Sequence, residues 1–119
     1  MAIEDHISES DNWFIGEDKS LIFTVYQADG ITPQNITGWA LEWDLRKTDA
    51  DATAVLTKTT ASGIALTTPT SGVCTVTIAD TDTDTLDPGT YRHALKRTTA
   101  DSETILTYGN ATIKQAAVR

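Results

Sequence analysis

From Trp39 to Arg46 apolar and polar side chains alternate: Trp39, Leu41, Trp43 and Leu45 hold the odd positions, and Ala40, Glu42, Asp44 and Arg46 the even ones. Successive residues of a β-strand point to opposite faces, so this run has one apolar face and one largely charged face. A helix would scatter the same residues around its circumference. The pattern predicts a half-buried strand near the centre of a sheet, with Trp39 and Trp43 supplying much of the core. The same period marks Ser20–Gln27, where Leu21, Phe23 and Val25 alternate with Ile22, Thr24 and Tyr26. It recurs in Val73–Ala79, where Cys74, Val76 and Ile78 share one parity. Shorter strands are expected at Val55–Thr60, Ile64–Thr67, Thr90–Arg97, Glu103–Tyr108 and Ala111–Lys114.

Turn chemistry separates these runs. Asp29-Gly30, Ser62-Gly63, Pro69–Gly72 and Asp87-Pro88-Gly89 supply the residues that tight turns need. Between Asp80 and Asp87 one helical turn is expected, capped by Asp80 or Thr81. Seven or eight short strands at roughly 8–12-residue spacing indicate a sandwich or barrel rather than alternating βα units. The expectation is an all-β antiparallel sandwich forming one domain over residues 13–119, preceded by a polar arm at 1–12 that is loose or docks on a neighbour. Trp13, Phe14 and Ile15 form an apolar island beside that arm. They are the candidate partner contacts, since aromatic side chains often anchor interfaces. The alternative is that they open the first strand and pack on their own domain.

Composition narrows the function classes. A chain of 119 residues suits one domain. Threonine, with 22 copies, is in excess, which favours strands because it is β-branched and tolerates a half-wet surface. A net charge of −8 works against nucleic acid and anionic membranes as partners. Arg92 and Lys96 share a strand face while Arg97 points the other way, so no basic patch forms. Cys74 has no second cysteine to pair with and is expected as a small buried residue. Neither a signal peptide nor an apolar stretch of the ~20 residues needed to span a bilayer is seen, so synthesis in the cytoplasm is expected.

Candidate chemistry is sparse. His6 is expected in solvent and His93 in or near the core, on the parity of Tyr91 and Leu95. Asp80, Asp82 and Asp84 alternate like the ligands of a calcium loop. The Gly and Glu that such a loop needs at positions 85 and 91 are Thr85 and Tyr91 here. An adventitious Ca²⁺ there is the most that pattern allows. No phosphate-binding loop, nucleophile elbow or zinc-protease motif occurs. The reading is a protein without catalytic residues, cofactor or metal.

Several features recur in a telling order. Gly16-Glu17-Asp18 precedes the strand Leu21–Val25; Asp29-Gly30 is followed by Ile36-Thr37-Gly38-Trp39; the tryptophan strand ends in Leu45-Arg46-Lys47. Later come Leu86-Asp87-Pro88-Gly89-Thr90-Tyr91 and Tyr108-Gly109-Asn110-Ala111-Thr112-Ile113. This order, over about residues 14–114, resembles the small immunoglobulin-like domains of tailed-phage virion proteins, including the N-terminal domain of phage baseplate upper proteins. The resemblance implies an immunoglobulin-like sandwich and a structural role in a phage or prophage particle, in a tail, baseplate, neck or adaptor position. It also implies other virion proteins as partners and several copies per particle. A carbohydrate- or host-surface-binding module is the alternative; it requires Trp13, Tyr26 or Tyr108 to be exposed beside polar groups.

Overall fold

The computed structural model describes residues 2–8 and 11–117; Met1, Glu9 and Ser10 of the expected arm lie outside the described residues, as do Val118 and Arg119. Its strands are β1 (Ile3–Glu4), β2 (Lys19–Thr24), β3 (Leu41–Arg46), β4 (Leu56–Thr59), β5 (Ile64–Thr68), β6 (Val73–Ile78), β7 (Gly89–Arg97) and β8 (Thr104–Ile113), with a 3-10 turn at Pro69–Ser71 and an α-helical turn, α1 (Asp80–Thr83). They form two sheets, a larger one in the order β1-β8-β7-β3-β4 and a smaller one in the order β2-β6-β5. The chain is a β-sandwich, as the alternation predicts.

The inner faces are those the odd parity assigns to β2, β3 and β7 and the even parity assigns to β6. Leu41, Trp43 and Leu45 are buried, and so are Leu21, Phe23, Cys74, Val76 and Ile78. Burial pushes the Cys74 thiol up to about 11, so it behaves as a packing group. Asp87-Pro88-Gly89 turns the chain into β7, where the ring of Tyr91 is buried and its hydroxyl donates to the Asp87 carbonyl at 2.6 Å. At α1 the expected cap differs. The Asp82 carboxylate reaches back to accept the Ala79 N–H at 2.7 Å, and Asp18 accepts the Asp80 N–H at 2.9 Å.

Three other features depart from the pattern. Trp39 precedes the ladder and is only half-buried, with the Arg97 guanidinium 3.8 Å above its ring. It packs against the core from the edge, and the second fully buried tryptophan is Trp13, 6.3 Å from Trp43. The strands expected on either side of Gly109 are one continuous strand, β8. Residues 3–7, expected in the arm, run parallel along β8: Ile3 pairs with Thr107, Glu4 with Tyr108 and Ile7 with Ala111. These last two findings have one cause. A Cβ on Gly109 would run into the Asp5 carbonyl oxygen. Glycine there admits the first strand instead of ending the last one.

Candidate functional site

The outer face of the larger sheet carries a dense group of charged side chains. The even residues of β3 and β7 face outward, and register sets them in ranks: Glu42 opposite Lys96, Asp44 opposite Ala94, Arg46 opposite Arg92. Ala94 also pairs with Tyr108 on β8. Its small side chain therefore leaves a hollow between Asp44 and Tyr108. The result is a shallow depression of about 470 Å³ lined by Glu42, Asp44, Arg46, Arg92, Lys96 and Tyr108 among others.

A β-bulge shapes the rim. Leu95 pairs with Thr107 but Lys96 pairs with Ile105, so Leu106 is the extra residue and the register shifts there. Leu106 and Thr107 consequently both point inward and are buried. The shift sets Ile105 and Tyr108 on the same outer face, 42% and 36% exposed. In a strand without the bulge, residues three apart such as Ile105 and Tyr108 would lie on opposite faces.

The charges are tied together. Arg46 donates to Asp44 Oδ2 at 3.0 Å and to the Asp51 carbonyl at 2.9 Å. Arg92 bridges Asp49, at 3.0 Å, and Asn110, at 2.6 Å. Partial burial, the neighbouring Asp44 carboxylate and its charge hold the Glu42 carboxyl above the usual range, against the pull of Lys96 and Arg46. Asp44 Oδ1 is buried with no hydrogen-bond partner, an acceptor available to a protonated neighbour or to a bound group. Hydrogen-bonding groups of both signs surround a partly open aromatic ring. Such a surface can hydrogen-bond to polar groups of either sign.

The expected contact residues fall elsewhere. The segment Trp13–Ile15 bridges to Lys114, which sends Trp13 and Ile15 into the core, 0% and 5% exposed. Neither is available to a partner. Phe14 is half-buried, with the Lys114 ammonium 4.8 Å from its ring centre, and is the one member of the trio that reaches the surface. Asp82 of the aspartate series is bound to Lys58 at 2.7 Å. Among the described residues no cluster of three or more His, Cys, Asp or Glu side chains has a metal-holding arrangement. The charged half of the Trp39–Arg46 alternation, the shared face of Arg92 and Lys96, and Tyr108 as a candidate exposed aromatic were the sequence signals for the outer-face site. Alternation alone identifies a solvated face and does not single out recognition, and the bulge has no signature.

No protein-family profile matches the chain, and no curated protein matches it.

Proposed function

We propose that this chain is a non-enzymatic structural component of a tailed-phage or prophage virion, acting through protein–protein contacts in a tail, baseplate, neck or adaptor position. The observation that carries this reading is the strand order together with the tyrosine corner. The order β8-β7-β3-β4 opposite β2-β6-β5 corresponds to strands G-F-C-C′ opposite B-E-D of an immunoglobulin-like domain. The Tyr91 hydroxyl bound to the carbonyl four residues earlier corresponds to that fold's corner near the start of strand F. The sequence motifs that resemble the phage domains fall at these places: the Gly38-Trp39 step before β3, Leu45-Arg46 at its end, and Asp87-Pro88-Gly89 before β7. Fold alone does not assign a role; the order of these motifs is what supports this one.

On this reading the outer face of the larger sheet is the contact surface, its partners are other virion proteins and further copies of the chain, and it is made in the cytoplasm of the bacterial host. Membranes and nucleic acid are not partners. The test is quantitative mass spectrometry of purified particles from the host that carries the gene. The expected result is a fixed copy number relative to the major tail or capsid protein; absence from intact particles would overturn the reading.

One observation favours a second reading, a carbohydrate- or host-surface-binding module. Tyr108 is partly exposed beside Glu42, Asp44, Arg92 and Lys96, the aromatic-and-polar setting that sugar recognition uses. A glycan array read with the wild type and with Tyr108→Ala distinguishes the two.

A further inference from the structure

The two histidines of the chain converge on one short segment. His93, only 3% exposed, lies between Phe23, whose ring is stacked at 5.9 Å, and Trp43 at 6.2 Å. The indole N–H of Trp43 donates to His93 Nδ1 at 3.2 Å. An indole nitrogen only donates, so Nδ1 is unprotonated and the proton sits on Nε2. Nε2 then donates to the Asp5 carbonyl at 2.7 Å. One residue on, His6 Nδ1 accepts the Asn110 N–H at 2.9 Å. Both rings thus use Nδ1 as an acceptor, and an imidazolium has no acceptor to offer.

The segment they secure is a thin cover. Asp5 donates to the Tyr108 carbonyl at 2.8 Å, Ile7 donates to Asn110 at 2.9 Å, and Thr112 donates to Ile7 at 2.7 Å. Ile7 is its buried apolar side chain. Its other side borders a cleft of about 230 Å³ against β2, lined by Asp5, His6, Asp11 and Lys19 through Phe23. Water therefore reaches the segment from outside while His93 lies beneath it. Gly109 provides the room that lets the cover sit so close.

We propose that residues 2–8 are a histidine-latched lid that lifts from β8 on acidification, uncovering His93 and the β8 edge. Charging His93 sets two N–H donors against each other at Nδ1. Phe23 and Trp43 wall the ring on its other sides, so water reaches the cation by moving Asp5 and His6 aside. The surrounding charges act in both directions. Around His93, Arg92 and His6 oppose the proton and Asp5 favours it. From β2 and β3 the ring meets uncharged Phe23 and Trp43. The charged side chains of β3, Glu42, Asp44 and Arg46, lie on the other face of the sheet. Beside His6, Glu4 Oε2 lies 3.4 Å from Nε2, and Asp5, Asp11 and Lys19 line the same cleft.

Amide exchange of the full chain, read by NMR as protection factors at pH 7.5 and 5.5, tests the lid. The amides of Asp5, Ile7, Asn110 and Thr112 are expected to lose protection at least tenfold at the lower pH, with the β3–β7 amides unchanged. Loss of protection at both places together, or at neither, overturns the proposal. His6→Gln/His93→Gln keeps an acceptor and a donor at each site without titrating, and is expected to abolish the pH response. Gly109→Ala is expected to lift the lid at pH 7.5 while β3 and β7 stay protected. A Gly109→Ala seam as protected as the wild type would also overturn it.

Discussion

The two outer faces of the sandwich cover the same core with opposite chemistry. On the smaller sheet, register aligns Ile22, Thr75 and Ala65 in one rank, and Thr67 and Thr75 share a hydroxyl hydrogen bond of 3.3 Å. Ser20, Ile22, Thr24, Ala65, Thr67, Thr75 and Thr77 present no charge there, and Ile22 is 68% exposed. On the larger sheet the equivalent positions carry Glu42, Asp44, Arg46, Arg92 and Lys96, and partial burial together with the adjacent Asp44 carboxylate holds Glu42 above its usual range. The threonine face is what strand propensity alone produces. The charged face includes a repulsion between neighbouring carboxylates that folding does not require. On the proposed reading, that difference makes the larger sheet the contact side.

The largest effect comes from removing what both faces share. Trp43→Ala opens a cavity beneath the larger sheet and leaves His93 Nδ1 without its donor. A loss of ~3–5 kcal/mol is expected in denaturant unfolding. Next is the comparison itself. With a partner in hand, Arg92→Glu should weaken binding tenfold or more, about 1.4 kcal/mol, in a calorimetric titration. Thr75→Glu on the opposite face should leave binding within about twofold, an effect near the noise of such energetics. Equal losses from both would remove the distinction between the faces. Tyr91→Phe deletes the corner bond to Asp87 and should lower stability by about 1 kcal/mol, with no change at the outer surface.

The smallest effects are electrostatic, and they have opposite signs with pH. His93 is held below the ordinary 6.5, first by burial, so the unfolded chain binds its proton more tightly. Its contribution to stability is full above about 6.5 and is lost as pH falls toward the depressed folded value. Glu42 is raised above 4.5, so its contribution favours folding below that value and is lost as pH rises through the folded one. Glu42→Gln should therefore stabilise the neutral protein by a few tenths of a kcal/mol, the scale of partly exposed charges. Urea unfolding across pH 4–8 checks both. Glu42→Gln leaving stability unchanged at pH 7 and pH 4 alike would mean the carboxylates do not strain the larger sheet.

The elements that could be read from the sequence are those whose period is local. Leu21–Val25, Leu41–Leu45 and Cys74–Ile78 declare their buried face within a few residues, and Asp87-Pro88-Gly89 announces the turn before Tyr91. His93 follows the parity of Tyr91 and Leu95 into the core. The parallel pairing of Ile3–Ile7 with β8 needs no turn and leaves no local signal, and its segment is polar apart from Ile3 and Ile7. Gly109 carries the standard mark of a break while serving as a point of close approach. Trp39 continues the alternation of β3 but lies beyond the ladder. Much of the outer-face charge was visible as the even half of one strand. Its junction with Ile105 and Tyr108 depends on one inserted residue, Leu106, whose effect appears only when β7 and β8 are in register.

Because Ile3 and Glu4 pair with Thr107 and Tyr108, the opening strand has no place to settle until β8 has left the ribosome. At ~5–20 residues per second, that delay is on the order of 5–20 seconds. Throughout it the nascent chain carries an unpaired stretch that any neighbouring nascent copy presents as well.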